Sequence, residues 1–314
     1  MIKFSIIVPH YNIPDKLERL LKTIPLERSD LEVIIIDDRS DEKLEELKNL
    51  KRKYEEKGVL FFKNNNGNKG AGHCRNIGLK HAKGSWIIFA DSDDFFTDRL
   101  DNFLNENSDR PEELVIFKAD SIYDETGEPA SRHFEGKKYI EDYLREPSRE
   151  HELKLRLKMI GPVQKMIKAD FLKNNGIFFD SSPVSNDVMF SVKTGLSASN
   201  IYVSEEVIYV MTDRMQSLVK KSDKESQRVR TAIFIKQMKY IRNNLNHDEF
   251  ILSGVDGVDR TINLIYSAVS LSVMVENLLI LIKNGINPFD FKKAGLVYMI
   301  RAYYYARKER KERS

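Results

Sequence analysis

The sequence predicts an α/β protein: a mostly parallel open sheet flanked by helices, followed by a helical C-terminal region. Three observations predict it. Short apolar runs alternate with helix-patterned stretches through the first hundred residues, several of those runs stop at polar clusters, and no strand-like run follows about Met211. Strands that alternate with helices are joined by right-handed crossovers, which cover a parallel sheet on both faces.

Phe4 to Val8 is apolar and β-prone and reads as the first strand. Asp15 to Thr23 reads as a helix, because Leu17, Leu20 and Leu21 share one face. Glu32 to Ile36 is the next strand, and the charged stretch after it carries Leu44, Leu47 and Leu50 at helical spacing. Val59 to Phe62 is a third strand. A polar Asn/Gly loop, a helix from Ala71 to Ala82 and a strand over Trp86 to Ala90 follow. Beyond Glu113 the pattern loosens. Leu114 to Phe117, Ile201 to Val203 and Val207 to Met211 read as strands, and Asp124 to Gly136 as a loop. Three helices are expected after Lys220, over Glu225–Asn243, Arg260–Asn284 and Phe289–Lys308. The change of character near 215–225 divides the chain into a sheet-bearing domain, 1–218, and a helical region, 219–314.

Composition narrows the function classes. Of the 314 residues 41% are hydrophobic and 32% charged, and the net charge is only +3, so a soluble globular chain with no nucleic-acid partner is expected. The single cysteine, Cys74, excludes an intrachain disulfide framework and a cysteine-based zinc site. With a strand already under way from Ile2, no signal peptide is expected, and the location expected is cytoplasmic. Ile262 to Ile282 is apolar but holds Asn263, Glu276 and Asn277, which argues for a buried or interfacial helix over a spanning one. Phe289, Tyr298, Tyr303, Tyr304 and Tyr305, interleaved with Arg301, Arg307, Lys308 and Arg310, suit helix packing, a homodimer contact or peripheral contact with a membrane.

The chemistry gathers where apolar runs end. Asp91, Asp93 and Asp94 close the Trp86 strand, and three carboxylates in four residues call for a cation or a well-hydrated site. Hard oxygen ligands suit Mg²⁺ or Mn²⁺ shared with a phosphate, and ligands bind at the carboxyl ends of open α/β sheets. Four further features line up with this cluster. Pro9-His10-Tyr11-Asn12 ends the first strand and offers a flat ring. Asp37-Asp38-Arg39-Ser40 ends the second; its carboxylates suit a base or ribose, with Ser40 or Asp41 expected to cap the next helix. Asn68 to Gly78 opens a helix and presents Arg75; Gly70-x-Gly72 lacks the third glycine of a dinucleotide fingerprint. Ser185-Asn186-Asp187 precedes a helix, where either acidic-type side chain could be a cap.

Together these pieces resemble the family 2 glycosyltransferases, nucleotide-sugar-dependent enzymes with a GT-A fold. The resemblance rests on Pro9-x-Tyr11-Asn12, Asp37-Asp38-x-Ser40, Asn68-x-Gly70-x4-Arg75-Asn76-x-Gly78, Asp91-x-Asp93-Asp94 and Asn186-Asp187, in order over about the first 215 residues. It implies that Pro9 and Tyr11 line the nucleobase pocket, Asp37 or Asp38 bonds base or ribose, and Arg75 approaches the nucleotide. It further implies that Asp93 ligates Mn²⁺ or Mg²⁺, Asp91 shares the metal or contacts ribose and sugar, and Asp187 is the catalytic base. Arg214-x-Gln216-Ser217 resembles the family's segment near the diphosphate. Asn186 departs from the glutamate often found before the base, and Arg39 stands where many relatives have glycine.

The implied reaction is inverting, metal-dependent transfer from a nucleotide-diphosphate sugar, a UDP-sugar foremost, to a saccharide or lipid-linked hydroxyl in polysaccharide or glycolipid synthesis. Two rival classes are a sugar-phosphate nucleotidyltransferase and a non-catalytic nucleotide-sugar-binding relative. The first should carry a glycine-rich loop after its first strand, where this chain has Pro-His-Tyr-Asn. The second requires Asp93 or Asp187 to lie away from the pocket.

Overall fold

The computed structural model describes residues 1–65, 68–214, 223–267 and 269–289. The chain divides into two compact units, Met1–Met215 and Gln216–Ser314. In the first, β1 (Phe4–His10), β2 (Leu31–Asp37), β3 (Leu60–Lys63) and β4 (Trp86–Phe89) alternate with helices α1 (Pro14–Leu21), α2 (Leu44–Glu55) and α3 (Ala71–His81). All three pairings among these strands are parallel.

Both faces of this half-sheet are covered, which is why its strands read as continuous apolar runs. Phe4, Ile6 and Val8 pack on one face with Leu17, Leu20 and Leu21 of α1, whereas Ile7, Ile34, Ile36 and Phe89 meet Cys74 of α3 on the other. The second contact is close: a Cβ at Gly78 would lie 2.3 Å from Ile7 Cγ2.

The unit continues through β5 (Phe95–Phe96), α4 (Leu100–Asn107), β6 (Leu114–Tyr123), α5 (Phe134–Arg145), α6 (Arg149–Lys158), β7 (Lys165–Lys168), α7 (Ala169–Asn174), α8 (Val188–Ser197) and β8 (Ile201–Asp213). The eight strands form one sheet in the order β3-β2-β1-β4-β7-β6-β8-β5. β7 runs antiparallel to β4 and β6, β5 antiparallel to β8, and β6 parallel to β8. The sheet is therefore parallel in its first half and mixed beyond. This sense of pairing brings the carboxyl ends of β1, β2, β4, β6 and β8 and the amino end of β7 to one edge.

Several local expectations change. The two strands expected at Ile201–Val203 and Val207–Met211 are one, because β6 accommodates the polar Ser204-Glu205-Glu206 interruption through register shifts around Lys118. β6 also runs on to Tyr123, past the expected end at Phe117. β5 and β7 were not expected: one is two residues long, and the other is a Met-Ile pair between lysines, too short for periodicity to register.

Helix α8 is clamped by Arg156 of α6, whose Nη1 donates to the carbonyls of Gly195 (2.8 Å) and Ala198 (2.6 Å). A Cβ at Gly195 would stand 2.2 Å from the Arg156 carbonyl oxygen. Gly195→Ala is therefore expected to destabilise the chain on the order of 3 kcal/mol, as overpacked cores do. Urea unfolding checks this; a midpoint equal to the parent's would contradict the contact.

The second unit, described over 223–267 and 269–289, contains α9 (Lys224–Asn244), α10 (His247–Leu252), α11 (Gly257–Tyr266) and α12 (Leu271–Lys283). The single helix expected over Arg260–Asn284 is thus two: Ser267 closes α11, and the Ser270 hydroxyl caps α12 by accepting from the Val273 amide. Asn277, fully buried, accepts from the Thr231 hydroxyl (2.5 Å), and Glu276 pairs with Lys224 (3.0 Å) and Arg228. Among the described residues no helix is long and apolar enough to cross a membrane. The expected helix over Phe289–Lys308 and its aromatic–basic cluster lie, apart from Phe289, outside the described residues.

Candidate functional site

At the carboxyl edge, strand register sets the first pieces side by side. His10 pairs with Asp37 and Asp37 with Lys63. Pro9 is buried within β1, and Tyr11 stands just beyond it, 43% exposed. The Tyr11 hydroxyl donates to Asp41 Oδ1 (2.9 Å), and the Lys69 ammonium lies 4.5 Å from the ring centroid. Asn12 adopts a left-handed backbone, which its side chain tolerates, and its Oδ1 accepts from the Asp41 and Glu42 amides. The ring is thus held at its hydroxyl by Asp41 and stays partly exposed.

Ser40 and Asp41 do not cap the next helix. The N-cap of α2 is Lys43, without a side-chain cap. Ser40 instead donates its amide (3.1 Å) and hydroxyl (2.5 Å) to Asp37 Oδ1, and Asp41 braces Tyr11 and Asn12. Asp38 is buried, with Oδ1 accepting from Asn64 Nδ2 (2.6 Å) and Oδ2 from the Gly70 amide (2.7 Å). Both carboxylates therefore shape the loops that frame the Tyr11 ring. Arg39, which follows Asp38, has φ +63°, a backbone that glycine adopts without cost.

The acidic cluster separates into three roles. Asp91 receives Arg75 Nη2 on Oδ1 (2.5 Å), and its amide donates to the Tyr209 hydroxyl (2.8 Å). Among the described residues no donor reaches its second oxygen. Asp93 is held by its backbone, whose carbonyl accepts from Arg19 and from the Thr212 hydroxyl (2.7 Å), while no other described residue donates to its carboxylate. Burial, and then the charge of Asp91, push the Asp93 carboxyl above its ordinary range. Asp94 is fully buried. Its Oδ1 accepts from the Thr212 amide (2.7 Å), joining the turn after β4 to β8, and its Oδ2 has no partner.

Asp93, with the free oxygen of Asp91, fits a divalent cation that shares its remaining ligands with a diphosphate. Asp94 does not belong to that set. Among the described residues no group of three or more ligating side chains forms a closed, all-protein metal site.

Asp94 also makes a measurable statement about stability. Burial, then the charges of Asp91 and Asp93, raise its pKa from 3.8 to about 8. Between those values the native chain retains a proton that the unfolded chain has lost. This carboxyl therefore lowers stability progressively as pH rises through the same interval. Asp94→Asn is expected to flatten the decline of thermal stability from about pH 5 to about pH 8 in EDTA. A slope equal to the parent's would refute the assignment.

Asp187 occupies the N-cap position of α8, yet its side chain makes no capping hydrogen bond. The preceding Ser185 has φ +53°, an uncommon backbone for serine that turns the chain into the helix. Among the described residues no side chain donates to the Asp187 carboxylate. Burial raises its pKa, the Arg75 charge opposes that, Asp91 adds to it and Lys165 opposes it. Arg75, 5% exposed, lies between the two acids: Nη2 pairs with Asp91 and Nη1 approaches Asn186 Oδ1 at 3.4 Å. It thus bridges the acid cluster to the loop that carries Asp187. Gly72 is needed for it, since a Cβ there would meet Asn186 Cγ at 2.8 Å.

Arg214 follows β8 at the same edge and is exposed; Gln216 and Ser217 lie outside the described residues. Sequence reasoning missed four contributors. Tyr209 and Thr212 of β8 anchor the acidic turn, Lys165 lies beneath α8, and Arg132 donates to the Thr212 carbonyl (3.1 Å). Desolvation lowers the Arg132 pKa, but the charges of Asp94, Asp91, Asp93 and Asp213 outweigh it and raise the pKa overall. None carries a local signal; each matters only because the sheet brings distant segments together.

The fold and this edge define a GT-A-type α/β chain with an acidic cluster and a separate carboxylate facing it. The chain belongs to glycosyl transferase family 2, whose family model matches residues 5–176, more than half of its length. It is 30% identical over 217 residues to the poly(ribitol-phosphate) beta-glucosyltransferase of Bacillus spizizenii, covering 66% of this chain and 32% of that protein. It is 37% identical over 123 residues to the poly(ribitol-phosphate) beta-N-acetylglucosaminyltransferase TarP of Staphylococcus aureus, covering 38% of this chain and 37% of TarP. The chain thus spans about a third of the length of the curated relatives it matches. Its fold is similar to S. aureus TarS 1-349 in complex with UDP-GlcNAc, with a TM-score of 0.69 at 21% identity over 99% of this chain and 92% of that one. It is also similar to the mannosyltransferase PcManGT of Pyrobaculum calidifontis in complex with GDP-Man and Mn²⁺ (TM-score 0.58, 18% identity, 97% and 86% covered).

Proposed function

We propose that the chain transfers a sugar from a UDP-sugar to a hydroxyl of a polyol-phosphate or saccharide polymer, with inversion at the anomeric carbon. The observation that carries this reading is Asp187: a carboxylate at a helix start that caps nothing, receives no side-chain donor among the described residues and is linked through Asn186 and Arg75 to Asp91. A general base needs such a free, oriented carboxylate. The UDP-sugar and polyol-phosphate classes are supported by what the relatives and structural neighbours are named as using.

Tyr11 would stack the nucleobase, with the Pro9 backbone beneath and the loops set by Asp37 and Asp38 around it. Asp93 and the free oxygen of Asp91 would hold Mn²⁺ or Mg²⁺, whose charge offsets that gathering on the departing diphosphate. Arg214 would meet the same diphosphate. Asp187 takes the proton of the acceptor hydroxyl as that oxygen bonds to the anomeric carbon and the bond to the β-phosphate oxygen breaks. In this reading the first unit is the donor-binding and catalytic domain, and the helical unit serves the acceptor, a membrane surface or a second copy of the chain.

The test is a panel of nucleotide sugars assayed for binding and slow hydrolysis with and without Mn²⁺, then for transfer to poly(ribitol phosphate). The expected result is a metal-dependent response to one or two UDP-sugars, and transfer. Donor binding without hydrolysis or transfer would favour the non-catalytic relative, and metal-independent binding would remove the Asp93 assignment.

A further inference from the structure

Lys165, the first residue of β7, is 2% exposed, the only lysine among the described residues that is fully buried. An ammonium is costly to bury without compensation. Its three donors are used: Nζ donates to the carbonyl of Met159, to the carbonyl of Gly161 (2.9 Å) and to Ser191 Oγ (3.3 Å). All three acceptors are neutral, so no carboxylate in contact cancels the charge.

Ser191 carries the connection onward. Its hydroxyl donates to the Ile160 carbonyl, and its amide donates to the Asp187 carbonyl (2.9 Å), closing the first turn of α8. One buried amine therefore fastens the 159–161 segment and the first turn of α8, the turn that begins at Asp187. Burial lowers the Lys165 pKa to about 7, and the charge of Asp187 opposes that fall. Across the sheet Lys165 pairs with Ile116, which carries no charge. The charged groups acting on Asp187 from its other sides are Arg75 of α3 and Asp91 beyond β4, while Arg156 of α6 is engaged by Glu152.

We propose that Lys165 is a positioning residue for the base: by fastening the 159–161 segment to Ser191 it holds the first turn of α8, from which the Asp187 carboxylate projects. This inference rests on Asp187 being the base. A general base acts only when its oxygen is held within hydrogen-bond reach of the proton it takes, so a rigid first turn is a requirement of the site.

The experiment compares the parent chain with Lys165→Met, Lys165→Arg, Ser191→Ala and Asp187→Asn, measuring UDP-sugar affinity and the pH dependence of kcat. For Lys165→Met we expect unchanged donor affinity and kcat reduced about tenfold or more across the pH range measured. Lys165→Arg, which keeps donors for the same carbonyls, should recover part of that loss. A Lys165→Met variant that binds donor and keeps the parent's kcat overturns the proposal. Should that variant fail to bind donor, Ser191→Ala decides. A kcat fall of at least about threefold at unchanged donor affinity supports the proposal, and a smaller change overturns it. Asp187→Asn separates the two readings. If it retains turnover, the base assignment fails; if it is silent while Lys165→Met behaves as the parent, only the role of Lys165 fails.

Discussion

Asp187→Asn is expected to lower kcat about 10²–10⁴-fold while leaving UDP-sugar affinity unchanged. The amide matches the carboxylate in shape but cannot accept the acceptor's proton. The local structure should survive, because the side chain caps no backbone amide of α8 and receives no side-chain donor. Loss of the carboxylate also removes one negative charge near Arg75, which remains paired with Asp91. The measurement is steady-state transfer alongside calorimetric donor binding. A kcat within a few-fold of the parent's would show that another group, or water alone, removes the proton.

Asp93→Ala is expected to abolish the metal dependence of donor binding and to bring transfer to the limit of detection. Among the described residues Asp93 is the one carboxylate of its cluster with neither an ion pair nor a hydrogen bond from another residue, whereas Asp91 is paired with Arg75 and Asp94 with Thr212. Without Asp93, only one oxygen of Asp91 stays available, too few protein ligands to place a divalent cation against a diphosphate. The fold should persist, since Thr212 and Arg19 hold the Asp93 backbone carbonyl rather than its side chain. Titrating donor with and without Mn²⁺ checks this. Mn²⁺-enhanced affinity equal to the parent's would move the metal elsewhere.

Asp94 illustrates how the same residue type divides its labour by position. Of three neighbouring acids of one chemistry, Asp93 receives no donor from the other described residues, Asp91 is an ion-pair partner and Asp94 is a buried strut. The difference comes from β8, which supplies the Thr212 amide to one and the Tyr209 hydroxyl to the backbone of another. Nothing within Asp91-Ser92-Asp93-Asp94 distinguishes them.

The β-α alternation of the first hundred residues, the acidic end of the Trp86 run and the polar ends of the first two strands were all legible, because period-two and period-3.6 patterns and strand-end chemistry are local properties. The family resemblance was legible for the same reason: its motifs are short stretches at strand and helix ends. Asp187 could be assigned only through that resemblance, since an Asp before a helix otherwise reads as a cap. The geometry removes the cap by showing its carboxylate without a capping bond. Conversely, Ser40 and Asp41 read as caps and prove to be braces for Asp37, Tyr11 and Asn12.

Sequence by itself determined the α/β class and the five motif stretches that form the site's rim. Tertiary structure alone decided which of those carboxylates are free. A carboxylate's availability depends on which groups reach it and its backbone in the folded chain: Arg75 donates to Asp91 and approaches Asn186, the Tyr209 hydroxyl accepts from the Asp91 amide, and the Thr212 amide donates to Asp94. The mixed second half of the sheet, with its two-residue β5 and lysine-flanked β7, carries too little local pattern to be read in advance. It is also the half that delivers Lys165, Tyr209 and Thr212 to the site.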